Sequence, residues 1–174
     1  MISIDDVIKD KKMNELTLTE FMQTHPNSAL ESIAATYRVS LLEVIKASSN
    51  YHLLSGKHFD TVCQNVETWG DVTIIVNTPD IIFEFYGHMP SGKHGHGYYN
   101  LQGKEGLTGH IKAEHCHHIA FVERKIMGVD TASIIFLNHQ GQGMFKIFVR
   151  RDEQRNLDST QLDAFHQLTQ INEE

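Results

Sequence analysis

The chain is poor in the residues that lock structure covalently: only 2 of its 174 residues are cysteine and only 3 are proline. Cys63 and Cys116 stand alone, with no C-x-x-C pair and no dense cysteine spacing, which excludes a disulfide framework and suits a reducing compartment. No apolar run reaches the roughly 18–20 residues that span a bilayer as a helix. The first residues, MISIDDVIKDKK, mix acids and bases without the apolar core of a secretory signal. Basic residues are also short: 15 Lys and Arg stand against 22 Asp and Glu, a formal net charge of −7. Phosphate neutralisation dominates nucleic-acid affinity, so nucleic acid is not an expected partner. G-x-S-x-G, Walker A and dinucleotide fingerprints are all missing, and no pair of carboxylates stands out as acid and base. The expectation is a cytoplasmic protein without stable membrane insertion.

At this length one domain with one core is the default, and the chain is read as a single domain over residues 1–174. Residues 1–15 are polar and unpatterned. Phe21 and Met22 lead to His25-Pro26, which ends a first short helix because proline disfavours helical conformation in the residue before it. Ser28 to Glu31 and Ser40 to Glu43 each fit a capping box, followed by Leu30, Ile33, Ala34 and Tyr37 and by Leu41, Val44 and Ile45 at helical spacing. A loop around Ser55-Gly56 precedes a helix carrying Phe59, Val62, Cys63, Val66 and Trp69 and stopped at Gly70. Residues 1–70 are therefore mainly helical.

From Asp71 the composition turns β-branched and aromatic. Strands are expected over 72–76, 81–86, 97–101, 107–113, 117–123, 133–137 and 144–149. Turn-rich separators such as Gly103-Lys104-Glu105-Gly106, too short for helical crossovers, imply an antiparallel meander over 71–150. Leu162, Phe165 and Leu168 then mark an amphipathic helix over 158–171, closing the segment 151–174, with Asp158 and Ser159 as caps. Strands bracketed by helices give an α+β class.

The feature that speaks to chemistry is histidine. Of the 12 in the chain, 7 lie between His88 and His118, together with Tyr98 and Tyr99. Imidazole is a common neutral metal ligand, and phenolate suits a ferric centre. A polar loop accumulating histidines on a solvated face is the plain alternative. His94 and His96 form an H-x-H pair that would share one face of a strand, although the surrounding glycines favour a loop. His115-Cys116-His117-His118 does not by itself identify the four converging ligands of a structural zinc site. Cys116 sits between histidines, yet neighbours on a strand point apart, so a buried structural cysteine is expected rather than a nucleophile. Residues 28–46 have the outline of a helix-turn-helix, but Arg38 and Lys46 are offset by Glu31 and Glu43, and the bland reading is a helical pair packed on the sheet.

Three segments, Gly97-Tyr98-Tyr99-Asn100-Leu101-Gln102-Gly103-Lys104, Gly109-His110-Ile111-Lys112-Ala113-Glu114, and Glu123 through Ser133, resemble the HutX/ChuX family of cytosolic haem utilisation carriers. The likeness extends from Leu18-Thr19-Glu20-Phe21 through Phe59-Asp60-Thr61-Val62 and Trp69-Gly70 to Arg151-Asp152. The resemblance implies a large, curved antiparallel sheet with flanking helices, similar to half of a HemS/ChuS haem protein, and a homodimer. It implies a carrier that receives imported haem, as ferric haem b, and passes it to a haem-degrading enzyme or another acceptor. Tyr99 and His110 match the positions implied as iron ligands, with Tyr98 in the same haem-binding motif. Some relatives carry a histidine where this chain has Asn77. Phe83, Phe85, Ile111 and Phe148 are candidate walls for a porphyrin, and Lys112, Arg124 and Lys125 are candidate partners for its propionates. His94 and His96 remain weaker metal candidates. A haem-degrading enzyme is the alternative function, and a zinc- or DNA-binding regulator the third.

Overall fold

The computed structural model describes residues 16–173, so the reading of residues 1–15 lies outside them. Helices α1 (Leu18–Thr24), α2 (Leu30–Tyr37) and α3 (Leu41–Lys46) lead into strand β1 (Tyr51–Ser55). Helix α4 (Phe59–Val66) precedes β2 (Asp71–Asn77), β3 (Ile82–His88), β4 (Gly92–Gly95), β5 (Tyr98–Leu101) and β6 (Gly109–Ile111). Three long elements follow, β7 (Cys116–Ile126), β8 (Val129–Asn138) and β9 (Gly143–Phe148), before the closing helix α5 (Ser159–Leu168). None of the described helices is long and apolar enough to cross a membrane.

The α+β class holds, but the strands do not form one meander. Six of them make an antiparallel sheet in the order β1-β7-β8-β9-β2-β3, and β4-β5-β6 make a separate small sheet. The large sheet closes its order through β2 against β9, with Ile74 opposite Ile147, a pairing between segments some seventy residues apart that leaves no local signature. β1 also corrects the helical reading of residues 1–70. It runs antiparallel to β7 from Tyr51 opposite Val122 to Ser55 opposite His118, reaching into the loop expected around Ser55-Gly56. With one buried residue in five, it offers too little alternation to be seen alone.

Both faces of the large sheet are covered. On β7, Ile119 and Phe121 face a core shared with Phe59, Val62 and Phe165 of α4 and α5. Ala120 and Val122 face a second core with Leu30, Ile33, Val44 and Ile45 of α2 and α3. β8 repeats the pattern with Ile134 and Phe136 against Ile135 and Leu137, so that Ala132–Leu137 is buried without a break. The candidate helix-turn-helix thus spends its apolar faces on the sheet.

The Ser40 capping box forms, its hydroxyl accepting from Glu43 N–H and Glu43 reaching back to Ser40 N–H. Thr17 and Glu20 make a second box that sequence reading missed. The box expected at Ser28 does not form: α2 starts one residue later, on Ala29 with no side-chain cap, and Glu31 instead pairs with Lys146 across to β9.

Gln161 of α5 is one of the few buried polar residues and clamps the helix to the sheet margin. Its amide donates to the carbonyls of Trp69 (3.0 Å) and Asp71 (2.8 Å), while its oxygen accepts from Arg150 N–H (2.9 Å). A leucine there would fill the space but leave those backbone groups without this partner. Gln161→Leu is expected to cost about 3 kcal/mol of stability, read as a lower urea midpoint at unchanged m-value. An unshifted midpoint would show that the clamp contributes nothing.

Candidate functional site

The histidine-rich region folds as the small sheet. Antiparallel pairing sets Lys93, Asn100 and His110 side by side in one row and His94, Tyr99 and Ile111 in the next. Successive side chains on a strand alternate between faces. Tyr98, Asn100 and His110 therefore share the outer face, and Tyr99 and Leu101 the inner one, where both are buried in the core built on α4 and β7–β9. Tyr99 and His110, the two leading ligand candidates, lie on opposite faces of one sheet.

Tyr99 is 1% exposed. Its ring meets Phe59 edge-on at 5.3 Å and His94 at 5.2 Å between centroids. Gly92 makes room for it: a Cβ there would come within 1.9 Å of the Tyr99 ring. The hydroxyl donates a long hydrogen bond to Glu67 at 3.5 Å. Burial pushes its pKa well above the ordinary phenol value, and Cys63, Glu67 and Asp60 push the same way, so the group here is a protonated phenol. His94 leans over the ring and is itself held by Asp60, Nε2 to Oδ2 at 2.7 Å.

The outer face is built differently. Tyr98 is 36% exposed, with the His110 ring 5.7 Å away and the Lys112 ammonium 4.5 Å above its ring centroid. His110 is exposed, and its Nδ1 lies 2.6 Å from the Asn100 side-chain oxygen. Among the described residues nothing hydrogen-bonds to His110 Nε2. Exposed Lys93 completes the row beside Asn100. An uncommitted imidazole nitrogen, an aromatic ring and two ammonium groups suit a planar ligand carrying a metal and negative charges. Sequence reading missed Lys93 and Asn100; period-two alternation from Tyr98 would have found Asn100, but Lys93 depends on the register.

The other candidates are dispersed. β4 ends at Gly95, and His96 stands in the following turn with φ of 53°, so His94 and His96 do not form a chelating pair. Among the described residues no cluster of three or more His, Cys, Asp or Glu could hold a metal ion. Cys116 is buried beside a β-bulge and burial pushes its thiol up to about 12, and burial likewise holds the Cys63 thiol well above its ordinary value, so neither is an activated nucleophile.

Arg124 serves the fold: its Nη2 donates to the carbonyls of Pro26 and Ser28, both at 2.6 Å, and latches the α1–α2 turn to β7. Lys125 pairs with Asp130 at 2.8 Å across the β7–β8 hairpin. Neither is bonded to the small sheet. Phe85 and Ile111 pack against the core, Phe83 stands 68% exposed on edge strand β3, and Phe148 pairs with Ser133 and Thr73, so the four do not form one wall. Asn77 lines an open groove of about 1030 Å³ between α2, the β2–β3 turn and β9, apart from both ligand candidates.

The family model described as haem utilisation ChuX/HutX matches residues 52–168. The intracellular haem transport protein HutX of Vibrio cholerae is 31% identical over 172 residues, 97% of this chain and 89% of its own. The solved structure of the haem-binding protein ChuX is 50% identical, with 88% of this chain and 97% of that one covered at a TM-score of 0.81. The haem-degrading enzyme ChuS of Escherichia coli O157:H7 shares the fold at a TM-score of 0.71 but only 10% identity, over 87% of this chain and 47% of ChuS.

The buried phenol makes a testable demand on pH. A raised folded-state pKa contributes stability that is intact below the unfolded value of 10.0 and is lost as pH rises through the folded one. Stability is expected to fall as pH climbs above 10, less steeply in Tyr99→Phe than in the native chain. Equal slopes in denaturant titrations at pH 9 and above 10 would refute the protonated interior phenol.

Proposed function

The chain belongs to the haem utilisation ChuX/HutX family, and on that premise we propose that it is an intracellular, non-enzymatic carrier that binds haem and hands it to a haem-degrading enzyme or another acceptor. The observation that carries the ligand assignment is the outward imidazole of His110, with Nε2 unbonded among the described residues and Tyr98 and Lys112 beside it. In this reading Nε2 ligates the iron of ferric haem b, the Tyr98 ring lies against the porphyrin, and Lys112 and Lys93 pair with the propionates. Exposed charge pairs of this kind are worth little individually, so the cargo is held mainly by one axial bond and ring contact. That suits release to an acceptor.

Tyr99 supports a second reading. Its hydroxyl lies against Glu67 and its ring against His94, both only partly covered, and rotation of those side chains would open the oxygen to iron. Ligation through Tyr99 displaces the phenolic proton and favours the ferric state. The likeness to ChuS, at 10% identity, concerns the fold and lends no support to haem degradation.

The homodimer also belongs to this proposal. Edge strand β3 exposes Ile82, Phe83 and Tyr86 at 61–71%, with Val76 of β2 beside it, and an open apolar edge invites another strand. ChuS contains about twice the length matched here, and a second copy of this chain would supply the equivalent of its other half.

Titration with ferric haem separates the ligands. His110→Ala is expected to lose the axial signature in the visible spectrum and to bind at least tenfold more weakly, whereas Tyr99→Phe keeps the native spectrum. The opposite pattern would move the iron to Tyr99, and no saturable binding by the native chain would overturn the carrier. For the assembly, Phe83→Lys is expected to halve the mass measured by light scattering; an unchanged dimer would place the contact elsewhere, and a monomeric native chain would reject it.

A further inference from the structure

The Asn100 side chain lies between three carbonyl groups and His110. Its Nδ2 is 3.0 Å from Lys93 O, 3.1 Å from Gly95 O and 3.2 Å from Tyr98 O. Carbonyl oxygens only accept, so this end of the amide must be the NH2 group; the reverse orientation would bring four oxygens together. Asn100 Oδ1 is then fixed toward His110 Nδ1 at 2.6 Å. That oxygen cannot donate, so His110 Nδ1 must carry a hydrogen. In the neutral ring the lone pair then falls on Nε2, the nitrogen with no partner among the described residues.

The anchoring carbonyls belong to β4 (Lys93 and Gly95) and β5 (Tyr98), so the clamp is preset by the fold of the small sheet. Asn100 lies directly opposite His110 in the β5–β6 register, so no rearrangement is needed to bring the pair together.

We propose that Asn100 is a positioning residue: it holds the imidazole of His110 in the Nδ1–H tautomer and presents Nε2, as a lone-pair donor, to the iron of an incoming haem. The inference rests on the reading of His110 as the ligand. Outer-shell partners of this kind fix ring orientation and tautomer, and their loss typically weakens metal affinity by roughly 10- to 100-fold.

The first test uses the native chain without haem. Long-range proton–nitrogen correlation spectra of 15N-histidine-labelled protein, recorded at pH 8 to 9, report which His110 nitrogen bears hydrogen. The Nδ1–H form is expected, against the preference of an unconstrained imidazole for Nε2–H. An Nε2–H ring in the native chain overturns the proposal without any variant. The second test is ferric haem titration of Asn100→Ala, with native-like near-ultraviolet circular dichroism as the check on folding and Asn100→Ser as a milder replacement. Both variants are expected to bind at least tenfold more weakly and to move His110 toward Nε2–H. Unchanged affinity in the Asn100 variants beside weakened binding in His110→Ala would overturn the positioning role alone. Unchanged binding and spectrum in His110→Ala would instead remove His110 as the ligand, and with it the purpose assigned to the clamp.

Discussion

The pairing of β7 with β8 is the constraint on which the rest of the molecule rests. Ten residue pairs run from Cys116 opposite Asn138 to Ile126 opposite Val129, and side chains from this ribbon enter both cores. Because both faces are covered, β8 cannot alternate polar and apolar residues, and its buried run from Ala132 to Leu137 follows directly. Each described α-helix packs against this ribbon: α1, α2 and α3 on one side, α4 and α5 on the other. Arg124, on the same strand, fastens the turn before α2.

The small sheet inherits its orientation from that core. Tyr99 and Leu101 enter the cluster containing Phe59, Phe121 and Phe136, and Gly92 leaves the space that the Tyr99 ring occupies beside β4. With two inward residues fixed on β5, Tyr98 and Asn100 must face outward, and the β5–β6 register then places His110 beside Asn100. A slip of one residue would exchange the faces and bury the donors now presented to solvent. The burial that docks the sheet is thus also what exposes its candidate ligand residues.

Much of this was legible in the sequence, and the reasons for success and failure are physical. Helices with apolar residues at helical spacing, such as α4 and α5, and strands with β-branched runs, such as β7, carry their pattern within one segment. β1 escaped notice because a short edge strand needs little burial, and the β2–β9 contact because pairing between remote segments has no local trace. For the candidate site, motif resemblance nominated Tyr99 and His110 together, but alternation separates them. Arg124 and Lys125 looked like free cations, since charge is visible in sequence while the carbonyls and carboxylate that occupy them come from the fold. Alternation from Tyr98 places Asn100 on the outer face, but the three backbone carbonyls that hold its amide are displayed by no sequence.

That separation of faces bears on how a carrier loads and unloads. Tyr99 is a packing anchor: its ring fills a space left by Gly92 and abuts Phe59, so drawing it out to meet an iron disturbs the contact that seats the small sheet. His110 makes no such contribution. It stands on the solvent side with Nδ1 already committed and Nε2 without a partner among the described residues, so a bond can form and break there while the core stays packed. Exchange at the outer face therefore leaves folding stability and cargo affinity separable. An interior phenolate would couple them through both repacking and the proton that burial holds on the oxygen. In the proposed carrier, the separable arrangement would let affinity be set by the outer face alone, and this is the physical reason to favour His110 over Tyr99.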